Sequence, residues 1–457
     1  MNIDSHVSAL RDVLRGRVLT SGDGDYQAAT RLFNAMIVNQ PAMVAQPVDA
    51  DDVSAALRYA REHDLDVSVR GGGHGVMGLA TAGELVIDMS QINAVVVDPK
   101  ARTAVVGGGA IWGTVDAATQ AHGLAVPGGR VTHTGVAGLT LGGGQGWLSS
   151  KYGLSIDNLL SIDLVTADGR QVTASAESEP ELFWALRGGG GGFGVVTSFT
   201  FRLHEVGPMI LGGMLIHSAD RAAEVCAAYS EFCMTAPDDF GGAAVFLSAP
   251  PAPLVPPEAV GAPVLSLAIA WFGDHSVGEK TIAPIRDLGA MIDIVQPMPY
   301  VALQAMIDGG NDFGMRQYWS AAYVEKLTPA MLDDTVELAL NRPSPMSNVI
   351  LAPMGAAVNR VPEDETAFGH REAGWLFHPL AQWASPDDDA ANIAWGKSLS
   401  AAAQPHTTNG TYLNVDGDAG SSERTRFAFG DVAYARLSAV KRQWDPDNVF
   451  RHALPVS

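Results

Sequence analysis

The segment Val67-Ser68-Val69-Arg70-Gly71-Gly72-Gly73-His74-Gly75-Val76-Met77-Gly78 decides how the rest of the chain is read. A β-branched run enters a loop where, between Gly71 and Gly75, only His74 carries a side chain. Backbone N–H groups unshielded by Cβ atoms suit a phosphate-bearing ligand that lies close against the chain. Further glycine clusters at 107–109, 128–129, 142–146 and 188–192 extend that signal. A long cofactor lying along several such loops is the reading they support.

Two stretches match G-x-G-x-x-G, Gly73 to Gly78 and Gly189 to Gly194. The nicotinamide-dinucleotide fingerprint needs a strand before it and a helix after it. The first match follows a strand but leads through Leu79-Ala80-Thr81-Ala82-Gly83 into another strand. The second follows a helix and precedes a strand. Neither order places a helix N-terminus on a phosphate, so that fold is set aside.

With 457 residues the chain exceeds what one hydrophobic core supports, and two or three domains are expected. Apolar residues at 47% against charged residues at 17% indicate a well-buried globular protein. Fifty acidic and 29 basic residues give a net charge of −21 with no basic stripe, which argues against nucleic acid and anionic membrane as partners. The start, Met1 to His6, lacks the basic and apolar parts of a signal peptide, and Ala259 to Gly273 contains Pro263 and is too short to span a bilayer. Cys226 and Cys233, seven apart on an expected helix, provide neither a disulfide framework nor a metal site. A cytoplasmic protein without a metal is expected, with oligomeric state left open.

Along the chain the patterns predict a helix over 26–38, a strand over 41–47, and a helix over 53–63 capped by Asp49, Asp51 and Asp52. Strands follow at 85–89, 94–97 and 103–106, then a helix over 111–122. A hairpin joins 158–166 to 171–174 through Asp168-Gly169, a helix covers 180–186, and a strand 195–203. Past Pro208 the glycine clusters thin out, and helices over 219–234 and 277–288 accompany strands, pointing to an antiparallel sheet. A terminal segment starts near Asn409 and contains a helix over 431–443.

The motifs, taken in order, resemble a known family. Val69 to Gly78, Gly135-Val136-Ala137-Gly138, Leu141 to Gly146, Lys151 to Asn158, Leu182 to Gly190, Phe193 to Thr197, Tyr412-Leu413-Asn414 and Trp444 to Phe450 follow the FAD-linked oxidases of the vanillyl-alcohol-oxidase superfamily. The chain is most similar to the berberine-bridge-enzyme-like and 6-hydroxy-D-nicotine oxidase group. The resemblance implies an α+β fold: a two-part FAD-binding domain of the p-cresol-methylhydroxylase type over 1–207, a substrate domain with an antiparallel sheet flanked by helices over 208–406, and a segment over 407–457 returning to the FAD domain.

By that resemblance His74 is bonded to the flavin 8α carbon, and a second tether seen in some members falls on Val131, leaving a single covalent link. Val69, Arg70, Gly71, Gly72, Gly73, Gly75, Gly78, Thr134, Gly135 and Gly138 are expected to bind FAD. Val136 is expected as a gate for oxygen, and Gly142, Gly143, Gly144 and Gly146 along the pyrophosphate and ribityl chain. Tyr152, Gly153 and Asp157 are expected on a loop closing over the flavin, and Val196 at its adenine end. Tyr412 is the expected base, oriented by Asn414; a phenol with an ordinary pKa near 10 would need help to act at neutral pH. The family's second aromatic falls on Val415, and a charged pair of nicotine oxidases on Ile350 and Ala352, which argues against the same amine. Gln304, Tyr318 and His370 are expected pocket residues by position. The implied activity is a hydride-abstracting oxidase acting on a small molecule with O2 as electron acceptor. An FAD-dependent dehydrogenase, an oxidative cyclase and a non-catalytic flavin-binding protein are the alternatives.

Overall fold

Three sheets of four, five and nine strands organise the chain, and the glycine segment leaves the edge of the four-stranded one. In this computed structural model, which describes residues 3–251, 255 and 257–456, the strands Arg17–Leu19, Met43–Gln46, Leu85–Asp88 and Val67–Arg70 lie side by side in that order. The last three run parallel, with the helix Ala50–Glu62 returning the chain between Met43–Gln46 and Val67–Arg70. Asp49 caps that helix as expected, accepting from the backbone N–H groups of Asp51 and Asp52.

A second sheet is antiparallel throughout and ordered Val95–Asp98, Thr103–Gly107, Val195–Arg202, Leu159–Val165, Gln171–Ser175. Its hairpin between 165 and 171 and the helix Pro180–Leu186 stand where the sequence placed them. The first G-x-G-x-x-G leads only into the 3-10 turn Leu79–Thr81, in keeping with the absence of a dinucleotide helix.

The third sheet has nine strands, all antiparallel, between Met209 and Trp383. Period-two alternation splits its side chains into two sets. Leu211, Leu215, Phe246, Leu265, Leu267, Ile269, Leu351, Phe377 and Trp383 pack against the helices Ala222–Thr235, His275–Arg286, Pro329–Leu340 and Asp389–Ala403. Their alternating neighbours face the glycine loops. No described helix is long and apolar enough to cross a membrane.

Two elements depart from expectation. The helix expected over 26–38 stops at Thr30, because the following residues bond outward: Phe33 N–H donates to Gly73 O, and Asn34 Nδ2 donates to Val76 O and Gln317 O. The terminal helix is longer than its pattern suggested, spanning Ser422–Trp444, with a break at Gly430, where φ is 72°.

Candidate active site

Between the glycine loops and the alternating face of the third sheet lies a cavity of about 1050 Å³. Its first wall is backbone, supplied by residues 71–80, 129–131, 134–142 and 190–196. Here the glycines serve two purposes. A Cβ on Gly75 or Gly138 would meet no atom within 4 Å, so these two leave room at the loop surface. A Cβ on Gly72 would come within 2.4 Å of Gly135 N, so this pair lets the two loops touch.

The glycines expected along the pyrophosphate divide the same way, and most need correcting. Gly142 lines the cavity, but a Cβ added there would come within 2.0 Å of Asn414 Oδ1. Gly143, Gly144 and Gly146 stand behind the wall, where a Cβ would strike Phe368, Ser155 and Gly128 O. Close backbone packing explains their glycines without a ligand. Val136 is fully buried in the main core, with Ala137 instead on the cavity. Arg70 turns away to pair with Asp88 at 3.1 Å.

The loop of Tyr152, Gly153 and Asp157 also lies off the cavity. Tyr152 stacks on His204 at 3.9 Å, and Asp157 pairs with buried Arg371 at 2.7 Å while accepting from Leu154 N–H. A Cβ on Gly153 would collide with the Asp157 carboxylate. Val69, Gly71, Gly73, Gly78, Thr134, Gly135, Val196 and His74 do line the cavity.

His74 stacks on Phe33, with ring centroids 4.0 Å apart and planes 16° off parallel, and meets Phe313 edge-on. Its Nε2 lies 3.0 Å from His133 Nδ1. Burial first, then His133, lowers the His74 pKa to about 3, so the ring is neutral. Val131 also lines the cavity and offers no thiol. Cys226 and Cys233 sit in or against the separate core behind the third sheet, their thiols pushed up to about 12 by burial.

The second wall is the sheet face. Leu376, His378, Leu380 and Gln382 point into the cavity from one strand, Asn348, Ile350 and Ala352 from the next, and Ala243, Val245 and Leu247 from a third. None of these carries a carboxylate. The pocket residues expected by position lie elsewhere. Gln304 is buried, and its Nε2 donates to Asp116 Oδ2 at 2.8 Å and Gly129 O at 3.2 Å. The Tyr318 hydroxyl donates to Asp418 at 2.9 Å, its ring packed over Gly396 on the other side of the strand from Trp319. His370, at φ 62°, is wedged against Gly410.

Tyr412 and Asn414 close the cavity from the terminal segment. Gly144 N–H at 3.0 Å, Gln145 N–H at 3.2 Å and Asn414 Nδ2 at 2.9 Å all donate to the Tyr412 hydroxyl oxygen. A neutral hydroxyl has two lone pairs, so three donors use up its accepting capacity. Burial raises the Tyr412 pKa, while these donors and the Arg130 charge pull the other way without reversing it.

Three cavity-side residues were not singled out from sequence. Arg130 donates from Nη1 to Gln145 Oε1 at 2.7 Å, lies 5.1 Å over Trp147, and among the described residues has no carboxylate partner. Burial lowers it to about 10, which leaves it cationic at neutral pH. His133 partners His74, and His378 faces in from the sheet. A histidine on the same alternating face as Gln382, in an otherwise apolar strand, was the available signal for His378.

The cavity suits an FAD. It is larger than most small-ligand pockets, two of its lining loops touch through Gly72 and Gly135, and Gly75 and Gly138 leave open space where a Cβ would stand. Buried Ser266 Oγ and Gln382 Oε1 on the facing wall have no hydrogen-bond partner among the described residues.

An FAD-binding-domain model matches residues 41–175, and a berberine and berberine-like model matches residues 411–457. The (R)-6-hydroxynicotine oxidase of Paenarthrobacter nicotinovorans is 30% identical over 455 residues, covering 96% of each chain. The chain belongs to the berberine-like FAD-linked oxidoreductases. An FAD-linked oxidoreductase of Dictyostelium discoideum is 29% identical, covering 98% of this chain and 95% of its own. The structure of 6-hydroxy-D-nicotine oxidase from Arthrobacter nicotinovorans superposes with a TM-score of 0.86 at 28% identity, over 97% of this chain and 98% of that one. This berberine-like protein is an enzyme, an FAD-dependent oxidase of α+β fold.

Proposed function

We propose that this oxidase holds its FAD through one covalent bond from His74 and removes a hydride from a C–H next to oxygen or nitrogen in a small organic substrate, with O2 as the final electron acceptor. The bound flavin supplies the hydride acceptor, and a bond at its dimethylbenzene ring raises its reduction potential. On this reading residues 1–207 and 407–457 hold the cofactor, and 208–406 face the substrate.

The observation that carries the covalent bond is the His74–His133 contact. If Nε2–H of His74 donates to His133 Nδ1, then His74 Nδ1 keeps its lone pair on the cavity side. Phe33 and Phe313 fix the ring plane, and burial keeps it unprotonated. A neutral, oriented imidazole is the nucleophile that such a bond requires. Val131 in place of a second tether, with both cysteines in another core, supports a single link.

The test is acid precipitation of the purified protein, followed by intact-mass measurement. Yellow colour in the pellet and the mass of one FAD adduct are expected, and both are expected to vanish in His74→Ala. A colourless wild-type pellet would sink the covalent reading. Peroxide production over alcohols, sugars and cyclic amines then tests the oxidase chemistry.

A further inference from the structure

We propose that His378 is the catalytic proton acceptor and that Arg130 holds the oxyanion forming beside it, which makes the substrate an otherwise apolar molecule bearing a hydroxyl at the reacting carbon. This deepens the hydride-transfer reading above and rests on it.

The state of His378 follows from its contacts. Its Nδ1 lies 2.8 Å from Ser320 O, and a carbonyl can only accept, so Nδ1 carries the hydrogen. Nε2 therefore holds the lone pair. Among the described residues nothing bonds to that nitrogen, and the side chain lines the cavity. Trp319 meets the ring edge-on at 5.3 Å, fixing its plane. Burial first, with Arg130 contributing, lowers the pKa to about 4, so the ring waits in its accepting form. Tyr412 has no such free lone pair, because three N–H donors converge on its oxygen.

Arg130 provides the complementary charge. Its guanidinium is enclosed by protein, has a carbonyl-type partner in Gln145 but no carboxylate, and leaves Nε unpaired. An uncompensated buried cation calls for an anion. The charged groups lining the cavity besides Arg130 and the histidines reduce to Asp312, which is exposed. A cationic amine would meet Arg130 with no carboxylate to receive it. A sugar would bury most of its hydroxyls against Val245, Ile350, Leu376 and Leu380, with Ser266, Asn348 and Gln382 as the polar side chains of that wall.

In the reacting step the substrate O–H breaks and its proton passes to His378 Nε2. The neighbouring C–H would break with its electron pair, leaving a C=O, and a bound oxidised flavin would supply the acceptor for the hydride. Arg130 stabilises the oxygen while it carries negative charge.

Ring-fluorinated phenols, with 4-fluoroanisole as the neutral control, test this by 19F NMR on the holoenzyme. The bound phenol is expected to ionise about tenfold more readily than in water, or better. His378→Gln, which keeps a hydrogen-bonding side chain in the strand, and Arg130→Met are expected to abolish that gain. Arg130→Lys is expected to keep part of it, and fluoroanisole binding should be insensitive to all three. A phenol that fails to bind, binds un-ionised, or ionises equally in every variant overturns the proposal. A yellow acid pellet alongside such a failure would strike this inference alone, whereas a colourless wild-type pellet strikes the covalent-flavin reading beneath it.

Discussion

The two walls of the cavity are built by opposite means. On the loop side the backbone itself is the surface, and glycines are placed so that loops touch each other or stay bare. On the sheet side side chains are the surface, and period-two alternation separates a helix-packed layer from a cavity-facing one. Where its loops touch, the loop wall is intolerant of added atoms, whereas the sheet wall is defined by which atoms it presents. On the function proposed above, cofactor binding belongs to the first and substrate choice to the second.

The strongest way to break this contrast is Gly146→Ala, whose Cβ would sit 1.7 Å from Gly128 O. A loss of about 3 kcal/mol or more is expected by thermal unfolding. A tolerated substitution would show that the loops are not held by backbone contact.

Acid should weaken the unoccupied protein through both walls at once. Folded-state pKa values of about 3 for His74 and about 4 for His378 lie below the ordinary 6.5. The unfolded chain therefore binds more protons as pH falls from 6.5 towards 4, and stability drops by up to about 1.4 kcal/mol per pH unit per group. Denaturant titrations of flavin-free protein across that range should show the slope, and His378→Gln should reduce it.

Tyr412→Phe comes next, since it strands three N–H donors at about 1–3 kcal/mol. Flavin loading should survive, and reduction by substrate should slow far less than in His378→Gln. Equal losses in stopped-flow traces would return the base to Tyr412. Smallest is Gly138→Ala, in the helix Val136–Leu141 with open space at its Cβ. Apoprotein stability should change by less than about 1 kcal/mol, while flavin loading falls.

The same contrast explains what the sequence disclosed. Glycine spacing records backbone geometry directly, so the loops around His74, Gly135 and Gly138 and the order of elements were legible. Glycine does not record which neighbour demands it, so Gly143, Gly144 and Gly146 read as ligand contacts when they answer to Phe368, Ser155 and Gly128. On the sheet side His378 is one polar residue in an apolar strand, and its significance depends on Ser320 and Arg130, which are 58 and 248 residues away. Gln304, Tyr318 and His370 were placed by rough position, and strand register alone decides which way a side chain points.

Away from the cavity, Gln304 joins the helix Tyr300–Gln304 to the helix Trp112–Gln120 through Asp116, and that seam titrates. Burial raises the Asp116 carboxyl from 3.8 to about 7, against the pull of the Gln304 amide. In the unfolded chain this carboxyl gives up its proton first, so stability falls as pH rises from about 4 to about 7, and beyond that the buried carboxylate keeps the Gln304 Nε2–H as a donor. At this contact the enzyme gives up stability before neutrality is reached.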